Sequence, residues 1–564
     1  MRWSILNEFP NKTSPKTEEI LEVLLQNRGL TTKKEKEKFL NPPDPFEFKA
    51  ADLGIEAKEI KKALRRISKA IEKGEDIIIY GDYDADGICA TAILWESLYR
   101  VTKNVLPYIP ERVSEGYGLN CETIEKLKNN PPAGGKNLRL IITVDHGVTA
   151  AEKIKYAKKL GIDVIVFDHH QLPKEKPKCA ALVHTDKICA ATIAWFMARK
   201  LQSGKASKIQ SKNDLDLVAL ASIADLEPLL GVNRTFVKHG LEALNETRRC
   251  GLLAIMEEAG IKLGEIGTYE VGFIIAPRLN AMGRLEHALE SLRLLCTPHS
   301  EKAKELAFKL GATNRERRIL TEETAKHAIE SEKLKAKSGK LLFVAHETYN
   351  QGVIGLVAGK LVEEFYRPAI VLAVGEVYSK ASARSINGFN IIEAIRESSE
   401  LLVDVGGHPM AAGFTVETAK IEILKQRLLE LAERKIAPEL LEKTLKIDLE
   451  MPLSAVSLPL WEEIHKLTPF GLGNPEPVFK TTAIVEDFRL VGSTGKHLRL
   501  TLKGIPENNG QARSLTAIAF NQGFLAEQLA RGQKVEVAFS LLLNEWNGEK
   551  KLELKVKDIK IPSL

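Results

Sequence analysis

Little in this sequence points to a membrane, an oxidising compartment or a disordered tether. Its six cysteines (Cys89, Cys121, Cys179, Cys189, Cys250, Cys296) are scattered and form no C-x-x-C pair. That spacing argues against a zinc ribbon or a redox pair and fits free thiols in a reducing compartment. No apolar run approaches the ~18 residues that a spanning helix needs. The opening MRWSILNEFPNKTSPK lacks the continuous apolar core of a signal peptide, so the expected location is the cytoplasm, with no membrane partner. Neither charge sign dominates: 81 Lys+Arg against 75 Asp+Glu leave +6. A polyanion would therefore have to meet basic side chains clustered on one face. Aromatic residues are scarce at 6%, and low-complexity segments and short repeats are absent. What remains is an ordinary globular composition, 44% hydrophobic and 28% charged, over 564 residues. That length exceeds one core and implies about three to five domains.

Punctuation divides the chain. The proline-dense stretch Asn41–Pro45 ends an N-terminal segment, 1–50. From 51 to 235, short β-branched runs (Asp76–Tyr80, Leu138–Val144, Ile162–Phe167) alternate with helical stretches such as Gly87–Tyr99 and Thr149–Lys159. Wholly apolar strands separated by helices predict a parallel sheet covered on both faces. Residues 236–335 read as a helical connector, with one or two long charged helices over 303–335. A smaller α/β domain over 336–450 opens with strand Lys340–Ala345, helix Gly355–Phe365 and strand Ile370–Val374. Breaks at Met451–Pro459 and Pro469–Pro477 introduce 451–564, which holds five candidate strands: Thr482–Val491, His497–Leu502, Ser514–Phe520, Lys534–Leu543 and Lys551–Ile559. Five strands in that space predict a small β-barrel, the OB-fold. Phe488, Lys496, His497, Arg499 and Trp546 are candidate single-strand contacts on it.

The chemistry concentrates at strand ends. GDYDADG supplies Asp82, Asp84 and Asp86 after one strand, LIITVDHG supplies Asp145 after the next, and Asp168-His169-His170 ends a third. Asp225 closes the apolar helical run LASIAD. In an open α/β sheet, ligands bind beyond the carboxyl ends of the strands. Carboxylates crowded there repel one another unless a cation neutralises them. Oxygen-rich ligation with imidazole suits Mn²⁺ or Mg²⁺. Alone, GDYDADG is equally compatible with helix-capping aspartates; as an EF-hand it fails, because no Glu stands at the twelfth position.

Further segments have the composition of phosphate binders. Arg112 precedes a glycine-flanked turn in PERVSEGYGL; Arg278, Asn280 and Arg284 stand together in PRLNAMGR, read as helix-poor; SARSINGFN holds Ser382 and Arg384, and GGHPMAAGF holds His408. Glycine lets backbone amides approach a phosphate, and arginine binds its oxygens bidentately.

GDYDADG, TVDHG, Asp168-His169-His170 and IAD, in this order, resemble the DHH phosphoesterase family, and the RSI and GGH…AAG segments resemble its DHHA1 domain. The run HKLTPFGLGNPEPVF resembles the linker before the OB domain in the exonuclease branch of that family. The resemblance implies two Mn²⁺ or Mg²⁺ ions: Asp145 bridging, Asp86, His169 and Asp225 completing one shell, Asp84 with Asp82 holding the other, and His170 meeting the scissile phosphate. It implies a 5′→3′ exonuclease specific for single-stranded DNA that releases 5′-mononucleotides in DNA repair and recombination. The DHHA1 domain would close a cleft too narrow for duplex. A monomer, with a helicase and a single-strand-binding protein as partners, follows by the same analogy. The sequence departs from the family pattern at Ala383, Met282 and ICAATIAW. Two other readings stay open: a pyrophosphatase or short-oligonucleotide phosphodiesterase of the same family, and a scaffold without catalysis.

Overall fold

The structure, a computed structural model, describes residues 1–8, 15–130, 137–201, 214–332, 339–505, 512–546 and 549–562. The chain forms two compact units: Pro45–Glu227 with His239–Lys443, and Met1–Asp44 with Pro228–Lys238 and Thr444–Leu564. It opens with a short strand, β1 (Arg2–Ile5), which belongs to the smaller unit.

In the larger unit, β2 (Asp76–Tyr80), β3 (Val105–Tyr108), β4 (Leu138–Val144), β5 (Asp163–Asp168) and β6 (Ala181–His184) form an all-parallel sheet in the order β3-β2-β4-β5-β6. The three central strands are buried along nearly their whole length, as continuous Ile/Val/Leu runs require. The edge strands β3 and β6 escape a reading by pattern because each has four residues, and β3 contains Pro107, which only an edge strand tolerates. The helix Ala85–Tyr99 is buried on most of its circumference, packed against Ala190–Leu201 and Leu215–Ala224.

The expected charged segment forms one 33-residue helix, Ser300–Glu332; residues 333–335 lie outside the described residues. PRLNAMGR corrects the helix-poor expectation: it forms the helix Ala276–Leu285, continuing a π-turn at Glu270–Ile275. Pro277 sits in the first turn, where no backbone donor is needed, so proline starts this helix instead of breaking it.

A second sheet holds β7 (Leu342–His346), β8 (Ala369–Ala373), β9 (Tyr378–Arg384), β10 (Leu402–His408) and β11 (Ala411–Glu417) in the order β10-β11-β9-β8-β7; only β7 and β8 run parallel. One face is packed by Leu424, Leu428 and Leu431 of the helix Ile421–Lys435. The other is packed by Val357 and Leu361 of Ile354–Phe365 with Ala325 and Ala328 of the long helix. Ala383, one of the departures from the family pattern, is a buried strand residue paired with Ile370 and Ala412.

In the smaller unit, β12 (Thr444–Ile447) pairs with β1, and β13 (Leu449–Glu450) leads into a barrel of β14 (Phe479–Val491), β15 (His497–Gly504), β16 (Ser514–Ala519), β17 (Lys534–Trp546) and β18 (Glu549–Lys560). Pairing of β14 with both β15 and β17 closes it, and β16 runs parallel to β18. Strict alternation along β15 sends Leu498, Leu500 and Leu502 into the core. Phe488 packs against that core, Arg499 donates to Glu553 (2.7 Å) and His497 lies edge-on to Phe520, whereas the side chain of Trp546 lies outside the described residues. Among the described residues, no helix is long and apolar enough to cross a membrane.

Candidate active site

The loop after β2 sets the first carboxylates. Asp84 caps the helix Ala85–Tyr99, accepting from the amides of Asp86 (3.0 Å) and Gly87 (3.1 Å). Asp86, in the first turn, accepts from the amides of Ala190 (2.7 Å) and Ala191 (2.8 Å), so the N-terminus of a second helix fixes its aim. Asp145 follows β4, His169 and His170 follow β5, and Asp225 closes the helix Leu215–Ala224. These elements converge. His169 Nε2 lies 3.2 Å from Asp145 Oδ1, 3.5 Å from Asp225 Oδ2 and 3.8 Å from Asp86 Oδ2. Three groups bring their donor atoms within 4.8 Å of one another: Asp86–His169–Asp225, Asp82–Asp84–Asp145 and Asp145–His169–His170. Asp145 belongs to two of them.

The electrostatics are those of an unneutralised cage. Burial, reinforced by Asp84, pushes Asp82 well above the usual carboxylate range. Burial, with Asp86 and Asp84, does the same to Asp145. Asp225 rises to about 8, through burial and then Asp86. Burial works against a charge on His169, but Asp145 and Glu227 outweigh it and hold the imidazole well above its ordinary value. Asp82 Oδ1, Asp145 Oδ1 and His169 Nε2 are all buried without a hydrogen-bond partner. Buried polar atoms are ordinarily satisfied. Unpartnered carboxylate and imidazole atoms facing one another, in a set richer in carboxylates than in imidazoles, fit hard divalent cations such as Mn²⁺ or Mg²⁺.

Two neighbours complete the cage without joining it. Asp168 is fully engaged: Oδ2 accepts from the Val148 amide (2.9 Å), Oδ1 from His170 N (3.1 Å) and Nδ1 (2.8 Å). These bonds overcome burial and pull its pKa down to about 2. It orients His170. Glu227, absent from the sequence reading, places Oε1 3.5 Å from His169 Nδ1, opposite the nitrogen that faces the carboxylates. A carboxylate two residues beyond Asp225, in DLEP, was the available signal.

Beside the cage stands an arginine cluster. Burial and then repulsion from Arg112, Arg317 and Arg384 pull Arg284 down to about 9; burial and Arg112 lower Arg384. Arg112 also lies over the Tyr83 ring, 4.6 Å from its centroid. Ser382 accepts from Arg384 (3.4 Å), and Gly355, in the first turn of Ile354–Phe365, approaches both so closely that a β-carbon would lie 2.9 Å from Ser382 Oγ. Guanidinia that repel one another at a helix N-terminus make a site for an anion. Arg317, on the long helix, was missed because an isolated arginine in a charged helix reads as solvated. Arg278 does not join: it donates to Glu258 (2.7 Å), which Arg315 also binds. Asn280 keeps a buried Oδ1 without a partner. His408, at the tip of the β10–β11 hairpin, stacks on His170 with centroids 5.7 Å apart, joining the two sheets of this unit at the site.

The chain matches the DHH family N-terminal domain over residues 76–222, the DHHA1 domain over 338–437 and the RecJ OB domain over 447–558. It is 36% identical to the single-stranded-DNA-specific exonuclease RecJ of Bacillus subtilis (strain 168), over 99% of this chain and 70% of that protein. It is 33% identical to the RecJ of Thermus thermophilus, over 90% and 71%. The crystal structure of RecJ in complex with Mn²⁺ from Thermus thermophilus superimposes with a TM-score of 0.81 at 29% identity, covering 100% of this chain and 80% of that one. With its three domain types in this order and the carboxylate cage at the sheet's rim, the chain belongs to the RecJ family of single-stranded-DNA-specific exonucleases.

Proposed function

We propose that this chain is a metal-dependent exonuclease that hydrolyses single-stranded DNA from the 5′ end and releases 5′-mononucleotides in DNA repair and recombination. The carrying observation is the adjacency of two charge patterns: a carboxylate cage with unpartnered polar atoms, and a group of mutually repelling arginines of which Arg384, with Ser382, meets Gly355 at a helix N-terminus. In this reading Asp86, His169 and Asp225 would hold one cation and Asp82 and Asp84 the other, with Asp145 placed to contribute to both. Two divalent cations bound there would supply an acidified water and a counter-charge for the attacking and leaving oxygens. The chain's own side chains do the rest. Arg112, Arg284 and Arg384 grip a terminal phosphate with Ser382, and His170, held through Nδ1 by Asp168, turns its other face to the scissile phosphate. Asn280 and His408 are further substrate-side residues in the proposal, whereas Arg278, expected among them from the sequence, is engaged by Glu258 (2.7 Å).

The proposed division is an N-terminal segment (1–50), a catalytic domain (51–235), a helical connector (236–335), a substrate-binding domain (336–450) and a nucleic-acid-binding barrel (451–564). The catalytic and substrate-binding domains leave a passage that admits one strand and excludes duplex. The proposal also has the chain working in the cytoplasm as a monomer, alongside a helicase and a single-strand-binding protein. Matched 5′- and 3′-labelled DNA and RNA oligomers, single-stranded and blunt duplex, with Mn²⁺ or Mg²⁺, test it. The expected result is early loss of the 5′ label as mononucleotide from single-stranded DNA alone. Early loss of the 3′ label, or duplex digested as fast as single strand, would overturn it.

A further inference from the structure

Asp145 has an uncommon backbone. Its φ is +68°, in the left-handed region that an L-residue keeps only where its surroundings hold it. Its amide is held from one side, donating to Phe167 O of β5 (2.9 Å). Its carbonyl is held from the other: the Tyr117 hydroxyl donates to Asp145 O (2.9 Å). Tyr117 is 50% exposed, its ring lies edge-on to His146 and His170 with centroids 6.3 and 6.1 Å away, and its hydroxyl points inward at a strand end.

The turn that carries Tyr117 is itself braced. Glu115 accepts from the Tyr108 hydroxyl (2.5 Å), Thr123 Oγ1 (2.8 Å) and the Glu111 amide (2.7 Å), which ties the turn to β3 and to the helix Cys121–Asn129. Gly116 (φ 80°) and Gly118 (φ 74°) then reverse the chain on either side of the tyrosine. The buried Tyr80, last residue of β2, donates its hydroxyl to Gly118 O (3.2 Å), and His146 Nε2 donates to Tyr80 O (3.0 Å). The Gly-Tyr-Gly turn is thereby bonded to the ends of both strands that deliver the carboxylates, β2 and β4.

We infer that Tyr117 is a positioning residue: its hydroxyl holds the left-handed peptide of Asp145 and thereby aims the one carboxylate that belongs to two of the three candidate metal groups. The inference rests on the metal-dependent reading above. Without the hydroxyl, the Asp145 carbonyl loses its donor, the peptide is free to rotate, and Oδ1 no longer faces His169 and the 82–84 loop together.

Tyr117→Phe removes the hydroxyl and keeps the ring. Mn²⁺ binding to the full chain without DNA, followed by electron paramagnetic resonance of the free ion, reads the effect directly. Wild type is expected to bind two ions, and Tyr117→Phe to bind at least one of them about tenfold more weakly, the scale of a lost supporting bond to a metal ligand. The kcat on single-stranded DNA should fall with it, while KM and the metal-free melting temperature stay at the wild-type values. Tyr117→Ala should lose the same metal affinity, and a rise in KM confined to it would report the ring alone. Wild-type Mn²⁺ affinity in Tyr117→Phe overturns the inference and leaves the exonuclease reading standing. A wild-type chain that binds no Mn²⁺ sinks both.

Discussion

At the residue scale, the site is built against its own stability. Asp145 is buried among Asp86, Asp84 and Asp82, all of one sign, in a left-handed conformation. Asp145→Asn keeps the shape and the tolerance for positive φ but removes the charge. In EDTA it should unfold at higher denaturant than wild type, by about 0.5–2 kcal/mol; with Mn²⁺ the order should invert, and hydrolysis should vanish. Glu227→Gln leaves the ligands in place but weakens the partner of His169 Nδ1. Titration should show Mn²⁺ affinity reduced about 10–100-fold, with a matching loss of kcat. The acids and histidines that the structure brings together were legible in the sequence because they stand at or just beyond the ends of apolar runs. Glu227 offered only its closeness to Asp225, and Tyr117 nothing, because what they do depends on the left-handed turns at Leu226 and Asp145, which spacing does not reveal.

At the scale of elements, the helix Ala276–Leu285 shows what pattern reading loses. A proline and a glycine in eight residues read as helix-poor, yet Pro277 sits where a helix begins, and Gly283 lets the helix approach the 82–86 loop. A β-carbon there would lie 2.5 Å from the Tyr83 carbonyl oxygen. Gly283→Ala should therefore displace the 82–86 loop, costing about 1–3 kcal/mol and most of the activity. Denaturant midpoints and kcat measure the two effects. The same helix separates two arginines: Arg278 bonds Glu258, while Arg284 joins the cluster. Arg278→Ala should lower stability by about 1–3 kcal/mol with less change in KM than Arg284→Ala, whose loss should fall on KM for 5′-phosphorylated ends. A larger KM effect from Arg278 would contradict that division. The central parallel strands and the barrel strands were legible because their burial is uniform or strictly alternating; β3 and β6 were too short to carry a pattern.

At the scale of the molecule, one unit carries both sheets and the cage between them, and the stability of that unit should follow the divalent ion. An ion that binds only the folded state stabilises it by about 2.7 kcal/mol at a hundredfold excess over Kd. Melting the chain with and without Mn²⁺ should show the transition rise with metal and fall back with EDTA. The pairing of the N-terminal strand with Thr444–Ile447 was invisible beforehand, since residues 442 positions apart share no local signal. The most direct test of the whole account is an anomalous difference map at the manganese edge, from crystals of this chain soaked in Mn²⁺. The account predicts two peaks, one beside Asp86, His169 and Asp225 and one beside Asp82 and Asp84, with Asp145 reaching both. A map without peaks there, with the carboxylates protonated or paired to basic side chains instead, would contradict it.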